Sequence, residues 1–230
     1  MKLFERFWSV VTQVLGIGTF SLSVDDGIQQ VPLQGGPPTV VEAGRGPIFT
    51  PPGHGYQSKF VCDYSNMGSG WRPCSTPDDR SCWLKNDNTG EKFDINTDYE
   101  AKAPQGIVRE YFLSVTDGSI NADGLNFPEA KMFNATYPGP WLQACWGDTV
   151  QVTVKNLLSH NGTSIHWHGI RQNQTMHMDG VNGITQCPIA PGDQFVYRWK
   201  ATQYGSTWYH SHYSVQYADG VVGPMVGSSR

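Results

Sequence analysis

Four of the seven histidines in this chain stand in two pairs. His166-Trp167-His168 lies within SIHWHG, and His210-Ser211-His212 lies within WYHSHY. Imidazole is the commonest protein ligand for metal ions and suits copper, zinc, iron and nickel. On a strand, residues i and i+2 share a face, about 6.6–6.8 Å apart along the chain. Two such pairs on adjacent strands would bring four ring nitrogens to one place. Trp167 and Ser211 would then point the other way, with Trp167 entering the core. One isolated H-x-H is common on wet strands, whereas two alike pairs in aromatic-rich segments point to a metal site. Spacing leaves the metal open. Zinc sites usually add cysteine, and a blue-copper site needs a cysteine with histidine and usually methionine close by. Cys145 is followed by Trp146-Gly147-Asp148 and Cys187 by Pro188-Ile189-Ala190, and neither has a close downstream histidine.

The segments around the pairs read as short strands. Arg109 to Val115 is rich in strand formers, and Asp117-Gly118 then predicts a turn. Tyr137-Pro138-Gly139-Pro140 marks a tight corner. Asp148 to Asn156 alternates valine with polar residues, the pattern of a half-buried strand. Ser164 to Gly169, Gln194 to Trp199, Thr207 to His210 and Val221 to Val226 are further strand candidates. With no long helical period after residue 30, the pattern predicts an all-β sandwich or barrel with Greek-key connections. Composition agrees. Glycine (26) and proline (15) in 230 residues exceed their usual combined share of about 12%, which argues against a helical bundle. Charged residues are 16%, below the usual ~25%. A net charge of −4 argues against a nucleic-acid binder, which needs a basic field.

The N-terminus reads as a secretory signal over residues 1–24: Lys2 and Arg6 precede an apolar stretch from Phe7 to about Val24. That stretch is short and broken by Thr12 and Gln13, so no stable membrane span is expected. No small-x-small cleavage site follows, and an amphipathic helix is the other reading. Residues 25–71 hold GGPP, GRGP and PPGHG and read as a propeptide or loosely ordered arm, with His54 a solvated loop residue. Cys74 and Cys82 bracket CSTPDDRSC, a loop able to close as a local disulfide in an oxidising compartment. Asn134-Ala135-Thr136, Asn161-Gly162-Thr163 and Asn173-Gln174-Thr175 match the N-glycosylation pattern and agree with a secreted, extracellular location.

Together SIHWHG, DGVNGITQCPIAPG and GSTWYHSHYSVQYADGVVGPMVG resemble the first cupredoxin domain of laccases, which are multicopper oxidases. CSTPDDRSCW and REYFLSVTDG resemble the ascomycete branch. The likeness runs from about Cys74 to Gly227 and implies a plastocyanin-like Greek-key barrel over residues 72–230. It also implies copper as cofactor. Laccases carry three cupredoxin domains, a blue type 1 copper, and a trinuclear cluster of one type 2 and two type 3 coppers between domains one and three. By position, His166 would bind the type 2 copper, and His168, His210 and His212 the type 3 pair. Asp179 matches the acidic residue near the type 2 copper, which orients water and delivers protons; a turn aspartate beside Gly180 is the alternative. His160 and His177 match no ligand position, and Met176, Met178 and Met225 read as packing residues.

The implied activity is one-electron oxidation of phenolic or aromatic donors coupled to reduction of O₂ to water, with this region supplying half of the cluster. Laccases need several hundred residues, so a truncated enzyme is expected, without domains two and three or the type 1 site and inactive by itself. The alternatives are a copper-binding fragment without turnover, or part of another multicopper oxidase such as a ferroxidase or ascorbate oxidase. Cys187 matches a cysteine that in laccases bridges to the third domain's tail. Cys62, Cys145 and Cys187 are therefore left without evident partners, and Cys145 departs from the family pattern.

Overall fold

The computed structural model describes residues 60–228. The signal-like segment and the arm up to residue 59, His54 included, lie outside the described residues. The longest buried alternation is Val150, Val152 and Val154, each at most 3% exposed, on the strand Thr149–Asn156. That strand is β7 of eleven among the described residues. The others are β1 (Trp71–Pro73), β2 (Cys82–Asn86), β3 (Lys92–Asp94), β4 (Val108–Ile120), β5 (Phe127–Phe133), β6 (Leu142–Cys145), β8 (Ile165–Trp167), β9 (Gln194–Lys200), β10 (Gly205–Ser211) and β11 (Val222–Ser228). The helical elements among these residues are two single 3₁₀ turns, Ser65–Met67 and Met176–Met178.

Two four-stranded sheets, ordered β5-β4-β7-β9 and β6-β11-β10-β8, supply one hydrophobic core. Leu113, Val115 and the β7 valines from the first sheet join Leu142, Ile165, Trp167 and Tyr209 from the second. β4 runs parallel to β7, and β11 parallel to β6, so the sheets are tied by crossovers rather than by hairpins alone. This is the expected all-β sandwich.

Three features differ from the sequence reading. First, no turn forms at Asp117-Gly118: β4 continues through both to Ile120. Gly118 pairs with Ala130, and the register shifts between Gly118 and Ile120. The glycine sits at this bulge. Asp117 is instead an acceptor for the Ser159 N–H and hydroxyl, at 2.9 and 2.8 Å.

Second, residues 60–71 are not a loose arm but pack onto the domain. The Tyr64 hydroxyl donates to Trp146 O at 3.0 Å. Arg109 donates to Val61 O at 2.9 Å and lies 4.6 Å over the Phe60 ring. Tyr64, Met67 and Trp71 pack on a second cluster of Trp83, Leu84, Phe93 and Trp146 beneath the β1-β2-β3 sheet.

Third, Cys62 and Cys145 are partners in a disulfide that spans 83 residues, which accounts for the unexpected cysteine in QACWGD. Cys187 is free and exposed, and Cys74–Cys82 closes the local loop as expected.

Beside Cys145, the fully buried Asp148 carboxylate is saturated. It accepts from Arg109 Nε (2.8 Å), Cys145 N (2.8 Å) and Ile107 N (2.9 Å), so its charge is matched by a cation and oriented amides. Arg109, Asp148 and the disulfide together clamp the 60–64 segment against the β6–β7 turn. Replacing the long-range bridge by Cys62→Ala with Cys145→Ala should lower the unfolding free energy by about 2–4 kcal/mol. Urea denaturation monitored by tryptophan fluorescence measures this; a midpoint equal to the parent's would show that the clamp holds without the bond.

Candidate metal centre

The two histidine pairs meet through strand register. β8 pairs antiparallel with β10 so that His210 stands opposite His166, Tyr209 opposite Trp167 and Ser211 opposite Ile165. His168 and His212 lie one residue beyond their strands, yet the ladder continues: His168 N–H donates to Trp208 O at 3.1 Å and His212 N–H to Ser164 O at 2.9 Å. Strand alternation then does the sorting. Ile165, Trp167, Tyr209 and Ser211 are fully buried, and the four imidazoles share the opposite face.

Ring centroids of His166 lie 5.6 Å from His168, 5.3 Å from His210 and 5.5 Å from His212, and those of His168 and His210 are 5.5 Å apart. Donor atoms of His166, His168 and His210 all fall within 4.8 Å of one another. His212 flanks His166 and stays outside this tight set. Among the described residues no other group of three or more His, Cys, Asp or Glu converges in this way.

Backbone carbonyls decide which nitrogens are free. His166 Nδ1 lies 2.9 Å from Asp179 O and 3.2 Å from Asp179 Oδ1, leaving Nε2 as its donor atom. His210 Nδ1 lies 2.9 Å from Ser211 O, again leaving Nε2. His168 Nδ1 faces that His210 Nε2 at 3.3 Å, so two donors aim at one point. A ring that gives one N–H to a carbonyl presents the other nitrogen as a lone pair, the arrangement metal ligation requires. Burial, reinforced by the neighbouring imidazoles and opposed by the Ser211 bond, holds the His210 pKa below the usual histidine value. That favours its neutral, ligating form.

Asp179 follows the 3₁₀ turn Met176–Met178 and reaches His166 because Gly180 lets the loop lie against β8. Gly180 has φ +81°, and a Cβ there would stand 2.0 Å from Ile165 O and 3.0 Å from His166 N. The Ser164 hydroxyl donates to Gly180 O at 2.6 Å and seals the contact.

Behind the ladder Gln216 ties together a group of buried polar residues. Gln216 Oε1 accepts from Thr163 and Ser211 hydroxyls, both at 2.8 Å, and Nε2 donates to Gly162 O at 2.9 Å. Tyr197 OH accepts from Ile165 N at 2.9 Å, and burial, against that bond, pushes its pKa up to about 12. Gln216 and Tyr197 carry no motif that would single them out in sequence. Trp208 could have been found by counting in twos back from His212. His160 and His177 are exposed and stand apart from the converging set, Met176 is 70% exposed, Met178 packs on the core and Met225 is inside it.

A family profile described as Multicopper oxidase matches residues 114–230. A laccase of Arthroderma benhamiae is 50% identical over 185 residues, which is 78% of this chain and 28% of that protein. Laccase-2 of Botryotinia fuckeliana is 53% identical over 148 residues, 64% of this chain and 24% of that protein. The crystal structure of the Botrytis aclada laccase superposes with a TM-score of 0.58 at 52% identity, covering 59% of this chain and 25% of that one. The chain belongs to the multicopper oxidase family, and its two-sheet body is a cupredoxin-like domain of the laccase kind. It spans about a quarter of the length of the curated relatives it matches.

Gly180→Ala should cost about 1–3 kcal/mol, since it forces a side chain into a left-handed backbone against a carbonyl. It should also part Asp179 from His166, visible as a change in the His166 ring signals by ¹⁵N NMR. Unchanged stability and signals would mean that the loop does not depend on this close approach.

Proposed function

We propose that this domain supplies the first-domain half of a trinuclear copper cluster in a laccase-type enzyme, which oxidises phenolic or aromatic donors and reduces O₂ to water. The observation that carries the reading is the placement of His210 opposite His166, with three imidazole donors inside 4.8 Å. The donor set fits copper: imidazoles alone, two of them fixed through Nδ1 by carbonyls. By the family pattern, His166 serves the type 2 position, and His168, His210 and His212 the type 3 pair. Copper, when bound, would supply the one-electron chemistry.

The chain's own residues bind and orient. The β8/β10 ladder sets the ring spacing, and Ser211 O and Asp179 O fix which nitrogen each ring presents. The Asp179 carboxylate, 28% exposed and 3.2 Å from His166 Nδ1, can hold a proton or order water at the rim of the site. Four histidines cannot complete three coppers, so further donors must come from outside this set.

For the 230-residue chain by itself, the same donor count favours copper binding without turnover. The chain should take up Cu(I) in competition with a chromophoric chelator. His166→Ala combined with His210→Ala should abolish uptake, Asp179→Ala should weaken it about tenfold or more, and no variant should oxidise a methoxyphenol. Uptake by the double variant equal to the parent's would remove the site assignment.

The same reading places the protein in the secretory route, as its two disulfides and signal-like N-terminus suggest. Three sequons would then meet oligosaccharyl transfer, and their side chains differ. Asn134 Oδ1 accepts from Ser114 N at 2.7 Å and its Nδ2 donates to Phe112 O at 3.3 Å, so its amide serves the sheet edge. Asn161, Asn173 and Asn134 are all exposed, so the difference lies in the bonds the Asn134 amide makes. Glycopeptide mass spectrometry of the chain secreted from a eukaryotic host should find glycans at Asn161 and Asn173 in preference to Asn134. Dominant occupancy of Asn134 would contradict the ranking.

A further inference from the structure

His168 is held differently from its neighbours. His166 and His210 each lock one ring nitrogen against a backbone carbonyl, Asp179 O or Ser211 O. The polar contact of the His168 ring is to another imidazole, His210 Nε2. Its main chain is fixed: the N–H donates to Trp208 O, and its carbonyl accepts the Thr207 hydroxyl. That leaves rotation of the ring about its own side-chain bonds.

Against that ring lies the indole of Trp208. Trp208 precedes His210 by two residues on β10, so it continues the histidine stripe, and it stands across the ladder from His168. Its ring lies near-parallel to His168, at 5.0 Å and 30°, and to His210, at 4.1 Å and 28°. One flat surface thereby sets the planes of the two rings whose donor atoms face each other at 3.3 Å. Trp208 is 37% exposed, so the core does not demand a tryptophan there.

We infer that Trp208 is a positioning residue that orients the His168 ring, in place of the carbonyl anchor that His166 and His210 have. Stacking does this without using either ring nitrogen. A side chain of similar bulk without a flat face cannot select the ring plane. The orienting role stands on the ring geometry; its consequence for metal affinity rests on the copper reading above, and the two are measured separately.

The test compares the full chain with Trp208→Phe, which keeps a flat ring, and Trp208→Leu, which keeps apolar bulk. The first readout uses no metal: ¹⁵N–¹H correlation of the His168 imidazole. The parent and Trp208→Phe should give one sharp set of ring signals, and Trp208→Leu broadened or averaged signals, with circular dichroism unchanged in all three. The second readout is Cu(I) affinity by chelator competition, where Trp208→Leu should bind about 10–100-fold more weakly and Trp208→Phe close to the parent. His168 signals in Trp208→Leu identical to the parent's would overturn the inference. So would loss of the β-sheet spectrum in either variant, which would make Trp208 a residue of the fold instead. A parent that binds no copper, with His168 still averaged in Trp208→Leu, would sink the copper reading and leave the positioning role standing.

Discussion

The structure turns on the register of β8 against β10. With His210 opposite His166, the imidazoles share one face and the aromatic residues share the other. A slip of one residue would bury the histidines and expose Trp167 and Tyr209, because side chains alternate with a period of two. The buried face resists that slip. Trp167 lies 4.2 Å from Trp199 and 5.2 Å from Tyr197 by ring centroid, and Tyr209 lies 4.9 Å from Phe133. Burying each such ring is worth about 2–3 kcal/mol. The aromatics therefore hold the histidine-bearing side in place although they never reach it.

Around that register lies a layer of polar contacts with little freedom. Gln216 gathers Thr163, Ser211 and Gly162 behind the ladder, joining the chain before β8 to the chain after β10. Ser164 and Gly180 press the Asp179 loop onto β8 from the side. Gln216, Thr163, Ser211 and Ser164 are buried and bonded, so removing one partner would strand another in a dry environment. Ring spacing comes from the strands, and ring orientation comes from this layer. The disulfide-held segment 60–71 strengthens the other end of the sandwich, near the β6–β7 turn and away from the histidines.

The strands that alternate cleanly, β7 and β9 above all, were legible because one face of each is buried and the other wet. β1, β2, β3, β5 and β6 were not, since β1, β2, β3 and β6 have only three to five residues each, too few for an alternation to show, and β5 opens on three exposed residues in a row. Asp117-Gly118 misled for a physical reason: the pair that favours a turn also tolerates a bulge, and only the neighbouring β5 chooses between them. The Cys62–Cys145 pairing was illegible because 83 residues of chain separate two cysteines that the fold brings to a Cα separation of 5.5 Å.

The amino-acid sequence by itself pointed to metal binding: two H-x-H pairs, each needing only strand periodicity to present its rings on one side, with copper entering only through the family resemblance. It also marked Asp179 as a neighbour worth testing. Tertiary structure alone decided that the pairs meet, that His166, His168 and His210 form the tight set with His212 at its flank, and that Asp179 reaches His166. Those facts depend on register between strands more than forty residues apart and on a left-handed glycine admitting a loop. Long-range pairing of that kind is chosen by the whole core at once, so no local window of residues contains it.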